Sequence, residues 1–332
     1  MLAVREFEPH PLLRNPHLMT VAATLWPRER RGLPPAQVRW FEVEPGTQIL
    51  AHCHWQLRPA EGPTLVLVHG LEGSSDSPYM VGTAALAFAA GCNVVRLNQR
   101  NCGGTDHLTP TLYHSGRSAD LAAVVVELLE RDRLPAVCLA GFSMGGNLVL
   151  KMAGEFGAQP PRGLCGVAGV CPALELAPCV AAIERPENAL YHWHFLRQLK
   201  RRMERKARLF PHLYRVDGLH SIRSIREFDD RITAPHSGFL SAADYYHRAS
   251  AARVIAQIRL PTLILTARDD TLVPFSIFAA AGVENNSWIT LVAPEHGGHC
   301  AFVSRHRGDE RFWAEARLVE FCRQQSAKRM FE

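Results

Sequence analysis

Short apolar runs rich in β-branched residues alternate along this chain with longer stretches whose apolar positions recur every three or four residues. The runs at 64–68, 93–97, 137–142, 164–170, 262–266 and 288–292 are strand-sized, and the stretches at 79–90, 118–131, 145–156 and 311–324 have helical spacing. Strands alternating with helices predict an α/β fold with a mostly parallel central sheet and helices on both faces. Ahead of them, 37–43 and 49–57 flank Pro45-Gly46, which predicts a leading antiparallel hairpin.

The rhythm breaks once. Residues 172–258 contain no strong strand pattern and hold helix-like stretches at 194–209 and 242–256. An excursion of that size is too long for a loop. Because the strand pattern resumes at Pro261, it predicts a helical cap insertion at 172–258 within a core formed by 1–171 and 259–332.

Composition narrows the class. The chain has 332 residues, 47% hydrophobic and 21% charged, ordinary values for a soluble globular enzyme and far from those of a disordered chain. Its formal charge of +5 is modest, and basic residues are dense only around 200–208, so no nucleic-acid partner is expected. Residues 1–14 lack the basic start and apolar run of a signal peptide, and the longest apolar runs fall short of a membrane span. A cytoplasmic protein without an integral membrane segment is therefore expected, its oligomeric state left open. The nine cysteines are scattered and form no CxxC, which predicts reduced core thiols rather than a zinc site or redox pair. Neither a metal nor a cofactor is expected, His192-x-His194 being only a weak hint.

The sharpest chemical signal is Gly141-Phe142-Ser143-Met144-Gly145, directly after the strand pattern at 137–142. A nucleophile on a tight strand-to-helix turn is forced out of the sheet, and small flanking residues keep that turn free of clashes. A second piece, His69-Gly70-Leu71-Glu72-Gly73, follows the run at 64–68. Acyl transfer creates an oxyanion, and each preorganised backbone N–H stabilises it by roughly 3 kcal/mol; Leu71 and Met144 are the candidate donors. A serine needs a base, and the base an orienting carboxylate. Asp269-Asp270 ends the run at 262–266, and His296-Gly297-Gly298-His299 follows the run at 288–292. The order Ser, Asp, His suits this arrangement, with two carboxylates and two imidazoles offered for the last two roles. His107 and His114 flank a short loop and are candidate pocket residues.

Taken together, these strings resemble the α/β-hydrolase family, and more narrowly its YheT-like branch, related to eukaryotic abhydrolase-domain lipases. The resemblance covers nearly the whole chain. It is carried by Asn15-Pro16-His17-Leu18, His69-Gly70-Leu71-Glu72-Gly73-Ser74-Ser75, Asn98-Gln99-Arg100, Tyr113-His114-Ser115-Gly116 and Gly141-Phe142-Ser143-Met144-Gly145-Gly146-Asn147. Glu227-Phe228-Asp229, Asp244-Tyr245-Tyr246, Ala267-Arg268-Asp269-Asp270 and His296-Gly297-Gly298-His299 extend it. It implies a carboxylic-ester hydrolase, some relatives acting on acylglycerols or phospholipids, with Ser143, Asp270 and His299 as catalytic triad. Asn101 stands where glycine is usual, Met19 where glutamine is frequent, and Cys300-Ala301 where Val-Gly is frequent. The expected substrate is a small ester or lipid-like molecule. A thioesterase or amidase using the same triad, or a non-catalytic protein binding partners through its cap, are the alternatives.

Overall fold

The computed structural model describes residues 4–30 and 32–330. Positions 1–3, at the head of the N-terminal stretch considered above, and 331–332, at the end of the expected core range, lie outside the described residues.

One eight-stranded sheet organises the chain, in the order β1-β2-β4-β3-β5-β6-β7-β8. The strands are β1 (Gln37–Glu44), β2 (Thr47–His54), β3 (Pro63–Val68), β4 (Asn93–Leu97), β5 (Ala136–Phe142), β6 (Leu164–Val170), β7 (Thr262–Leu265) and β8 (Ile289–Val292). β1 and β2 form the expected hairpin, β2 pairs antiparallel with β4, and every other pairing is parallel. The sheet is two-sided because successive side chains alternate faces. Leu65 and Leu67 of β3 enter one apolar layer with Met80, Ala84, Trp313 and Leu318, whereas Val66 and Val68 enter the other with Leu121 and Leu148. The first layer is covered by α2 (Pro78–Ala89) and α11 (Trp313–Met330), the second by α3 (Ser118–Val126) and α4 (Met144–Phe156).

Between β6 and β7 the chain holds α5 (Leu176–Ile183), α6 (Ala189–Leu209), α7 (Ile225–Phe228), α8 (Ala234–His236) and α9 (Ala242–Ala249), and no strand. The helical stretch read at 242–256 is shorter than its pattern: Ser250 takes extended backbone, and only single turns follow at Ala251–Arg253 and Ile255–Gln257. α10 (Ser276–Ala280) lies between β7 and β8.

One helix escapes the hydrophobic pattern altogether. α1 (Pro16–Leu25) begins at Asn15, whose side chain accepts from the amides of His17 and Leu18, with Pro16 in the first turn. Asparagine as N-cap followed by proline is a start signal, but apolar residues lie on both faces of the helix, Met19 and Ala23 being buried. Leu18, Val21 and Leu25 are exposed while Thr20 is buried. Eight of the nine cysteines are buried, Cys300 being the partly exposed one. Among the described residues no helix is long and apolar enough to cross a membrane.

Candidate active site

The tight turn between β5 and α4 presents Ser143. Its φ of 53° is left-handed, a conformation that a non-glycine residue holds only when its surroundings over-determine it. Those surroundings are the parallel ladder, through Ser143 N–H to Val170 O at 2.8 Å, and the first turn of α4, through Asn147 N–H to Ser143 O at 3.1 Å. Gly145 is required by close approach: a Cβ there would stand 2.5 Å from the carbonyl oxygens of Val68 and His69. The helix thereby lies hard against the end of β3, and the serine is lifted over the C-terminal edge of the sheet.

Both carboxylates after β7 find an imidazole, and each pair is separate. Ser143 Oγ donates to His299 Nε2 at 3.0 Å, and His299 Nδ1 donates to Asp270 Oδ2 at 2.9 Å. Asp270 Oδ1 accepts from the amides of Leu272 and Val273 at 2.9 and 3.0 Å, so the carboxylate is fixed in a side-chain environment closed to solvent. Asp269 instead accepts from Gly298 N–H at 3.0 Å and meets His296 Nδ1 at 3.2 Å; that histidine is partly exposed. Burial pulls the His299 imidazole down, but Asp270 and the adjacent Cys300 together hold it well above the ordinary histidine range.

The loop carrying His299 is held by α1. Its backbone N–H donates to Thr20 Oγ1 at 2.9 Å, and Thr20 Oγ1 in turn donates to Pro16 O at 2.7 Å. Gly298 has a φ of 56°, and a Cβ on it would sit 2.7 Å from both Pro16 O and Thr20 Oγ1. The N-terminal string Asn15-Pro16-His17-Leu18 thus supports the loop of His299, reached from the other end of the chain.

On the opposite side of Ser143 stands the loop after β3. The amides of Leu71 and Met144 donate to no backbone or side-chain acceptor among the described residues. His69 is buried and its imidazole is pushed down to about 4, chiefly by burial; it accepts from Gln99 N–H at 3.1 Å. Glu72, in left-handed conformation at φ 55°, is gripped from α6. Arg202 Nε and Nη2 donate to its two carboxylate oxygens at 3.0 and 2.8 Å, and Tyr113 OH donates to Oε1 at 2.7 Å. Asn101, also left-handed, gives its carbonyl to Arg202 Nη1, so asparagine holds here the left-handed conformation that it tolerates better than most residues.

This clamp is almost dry, with side chains 6% and 5% exposed. Truncating one partner of a buried pair costs about 3–5 kcal/mol, and a slightly misplaced site loses about 10²-fold in rate. Arg202→Met is therefore expected to lower both the melting temperature and kcat. Glu72→Gln/Arg202→Met should recover much of the melting temperature while kcat stays low. Thermal unfolding and steady-state kinetics on both variants check this; a double variant with full kcat would show that the clamp serves stability alone.

Two cavities meet at Ser143 and share His299, Leu71, Phe195 and Leu272. The narrower, about 90 Å³, is lined by apolar residues of α5 and α6, by Tyr245 and Tyr246 of α9, and by His114. Asp229 is the one carboxylate in its lining. It accepts from Tyr246 OH and Thr233 Oγ1, both at 2.7 Å, and burial pushes it up to about 6. The wider cavity, about 390 Å³, is lined by α1, the loop after β3, Tyr191, His194 and Cys300.

Of the two loop histidines, His114 is buried in the narrower cavity, its imidazole driven down to about 3 mainly by burial, whereas His107 is exposed and lines neither cavity. His192 and His194 do not converge; His194 edges the wider cavity. The reading of the residues did not single out Glu72, Arg202, Thr20 or Asp229 for any role. Glu72 and Asp229 carried a signal only as members of the motifs His69–Ser75 and Glu227–Asp229, and Arg202 carried none.

A strand-borne serine over the C-terminal edge of a mostly parallel sheet, with an imidazole and a carboxylate from later strand ends, defines an α/β hydrolase. Residues 63–305 match the family described as alpha/beta hydrolase fold, and the chain belongs to it. Within that family it belongs with the YheT-like hydrolases: it is 30% identical over 322 residues to the putative esterase YheT of Escherichia coli (strain K12), covering 95% of this chain and 92% of that one. It is 31% identical over 242 residues to phospholipase ABHD3 of Mus musculus, covering 73% of this chain and spanning 58% of that longer relative. Among solved structures, 2,6-dihydroxy-pseudo-oxynicotine hydrolase superposes with a TM-score of 0.61 at 19% identity, covering 94% of this chain and 72% of the other. That likeness is one of fold.

Proposed function

We propose that this chain is a serine carboxylic-ester hydrolase that works through an acyl-enzyme, with residues 172–258 as a cap over the reacting carbon. The observation that carries this reading is the hydrogen-bonded series Ser143, His299, Asp270 at the junction of two cavities. Ser143 Oγ attacks the ester carbonyl as its proton passes to His299 Nε2. Asp270 holds the Nδ1–H tautomer and stabilises the imidazolium that forms. The developing oxyanion takes hydrogen bonds from the Leu71 and Met144 amides. Collapse expels the alcohol, which leaves with the proton from His299. Water then repeats the sequence on the acyl-enzyme, releasing the acid and restoring Ser143.

The cavities support an uncharged acyl ester as the substrate class. An apolar lining rewards an uncharged acyl group, and a narrow cavity favours a linear one. A long chain would have to run against the buried Asp229 carboxylate, which keeps its Tyr246 and Thr233 partners but presents a polar group to the chain instead of an apolar wall. In p-nitrophenyl esters the flat, bulky leaving group needs the wider cavity, which leaves the narrower one for the acyl chain. Turnover is thus expected to peak at short to medium linear acyl groups and to fall by about tenfold or more at palmitate, roughly 1.4 kcal/mol of lost transition-state binding. Steady-state kinetics on the series from acetate to palmitate tests this. Faster turnover of a peptide amide than of p-nitrophenyl butyrate would overturn the ester reading itself.

A further inference from the structure

The mechanism leaves two thiols beside the base unused. Cys171 follows β6 and Cys300 follows His299, 129 residues apart in sequence, yet Cys300 N–H donates to Cys171 Sγ at 3.3 Å. Cys300 Sγ is 3.9 Å from His299 Nε2, the same nitrogen that accepts from Ser143 Oγ. The two sulfurs and an imidazole nitrogen all lie within 4.8 Å of one another, the one such group of three among the described residues.

We propose that Cys171, Cys300 and His299 form an inhibitory binding site for a thiophilic divalent cation of the zinc type. Two thiolates and an imidazole are a donor set for that chemistry. Tetrahedral coordination, with metal–sulfur bonds of ~2.3 Å and metal–nitrogen bonds of ~2.0 Å, brings ligand atoms to roughly 3.5–3.8 Å from one another; about 1 Å of side-chain closure reaches it from the spacing observed. The fourth position is left for water or Ser143 Oγ. The other imidazole nitrogen, Nδ1, already donates to the Asp270 carboxylate, the outer partner that orients metal-binding histidines and raises their basicity. Both sulfurs sit on fixed backbone: Cys171 and Cys300 have φ of 44° and 56°, conformations the surrounding fold imposes. Entry is open, because His299 and Cys300 line the wider cavity.

Binding releases the two thiol protons to solvent and places the metal on the lone pair of His299 Nε2. Ser143 then has no acceptor for its proton, and acylation stops. The inhibition rests on the proposed role of His299, whereas the binding does not, and the two are tested separately.

The binding test uses Ser143→Ala enzyme, reduced and freed of chelator, titrated with Cd2+ as the spectroscopic stand-in for Zn2+. One equivalent per chain is expected, with a thiolate-to-cadmium charge-transfer band in the ultraviolet; Cys171→Ala and Cys300→Ala in that background should each weaken binding by about 10- to 100-fold or more. The inhibition test titrates Zn2+ into the otherwise wild-type enzyme during p-nitrophenyl butyrate hydrolysis, with recovery on adding chelator. Each cysteine variant, compared with its own metal-free rate, should need correspondingly more Zn2+. Absence of the charge-transfer band, or a band undiminished in both cysteine variants, overturns the site. Binding intact but hydrolysis insensitive to Zn2+ overturns the inhibition. If no ester is hydrolysed at all, the functional reading fails while the Cd2+ titration still decides the site.

Discussion

Ser143→Ala is expected to lower kcat for p-nitrophenyl butyrate by about 10⁵- to 10⁶-fold, the loss seen when the nucleophile of a serine triad is removed. The same variant should lose all labelling by a fluorophosphonate probe, because the bond that probe forms is to Ser143 Oγ. The fold should be untouched. The left-handed backbone at 143 is imposed by the ladder to Val170 and by the helix behind it, and alanine meets the same Cβ constraint there as serine. Removing one hydroxyl from a cavity-lining position leaves no apolar void. The melting temperature should therefore stay near that of the unaltered protein, which separates loss of chemistry from loss of structure. Residual turnover above about a tenth would remove Ser143 from the mechanism, since no positioning role of a nucleophile leaves so much. Unlabelled but folded wild-type protein would favour the reading in which the chain binds partners without catalysis.

That serine was legible because its constraint is local. Five consecutive residues encode the turn, and Gly145 is needed for a contact with the end of β3 that any sharp strand-to-helix turn must make. The sheet was equally legible, since buried parallel strands read as apolar runs whatever lies next to them. The cavity walls were not. Tyr113-His114-Ser115-Gly116, Asn147 and Asp244-Tyr245-Tyr246 were visible as separate strings, with no indication that they meet. In the fold Asn147 donates to Ser115 O and Ala249 O and accepts from Ala251 N–H, while Tyr245 OH accepts from Ser115 N–H. Buried polar groups must find partners, but the identity of the partner is a property of the three-dimensional arrangement. The same holds for Arg202, which sits among other basic residues on α6 and is distinguished only by burial against Glu72. α1 was hidden for a different reason: its exposed face is apolar because Val21 and Leu25 edge the wider cavity, so it lacks the polar side that marks a surface helix.

The proposed base and its orienter were the least decided by sequence, and they yield the other large effect. Asp269 and Asp270 are neighbours, as are the two ends of His296-Gly297-Gly298-His299, and four pairings are conceivable on paper. In the fold only His299 touches Ser143, and only Asp270 touches His299. Asp270→Asn is expected to cost about 10⁴-fold in kcat, because an amide facing Nδ1 favours the wrong tautomer without disturbing shape. His299→Ala should cost at least as much, since the proton of Ser143 then has nowhere to go. Asp269→Asn leaves one oxygen for Gly298 N–H and loses only a partly exposed partner in His296, so its effect passes through the loop and should stay near tenfold or below, about 1.4 kcal/mol. His296→Ala removes a partly exposed ring that touches neither Ser143 nor His299 through a hydrogen bond and should be milder still. Steady-state kinetics on the four folded variants decides the order. If Asp269→Asn or His296→Ala proved the more damaging member of its pair, proton transfer would have to run through the second Asp–His pair, and the loop carrying both histidines would have to shift on substrate binding.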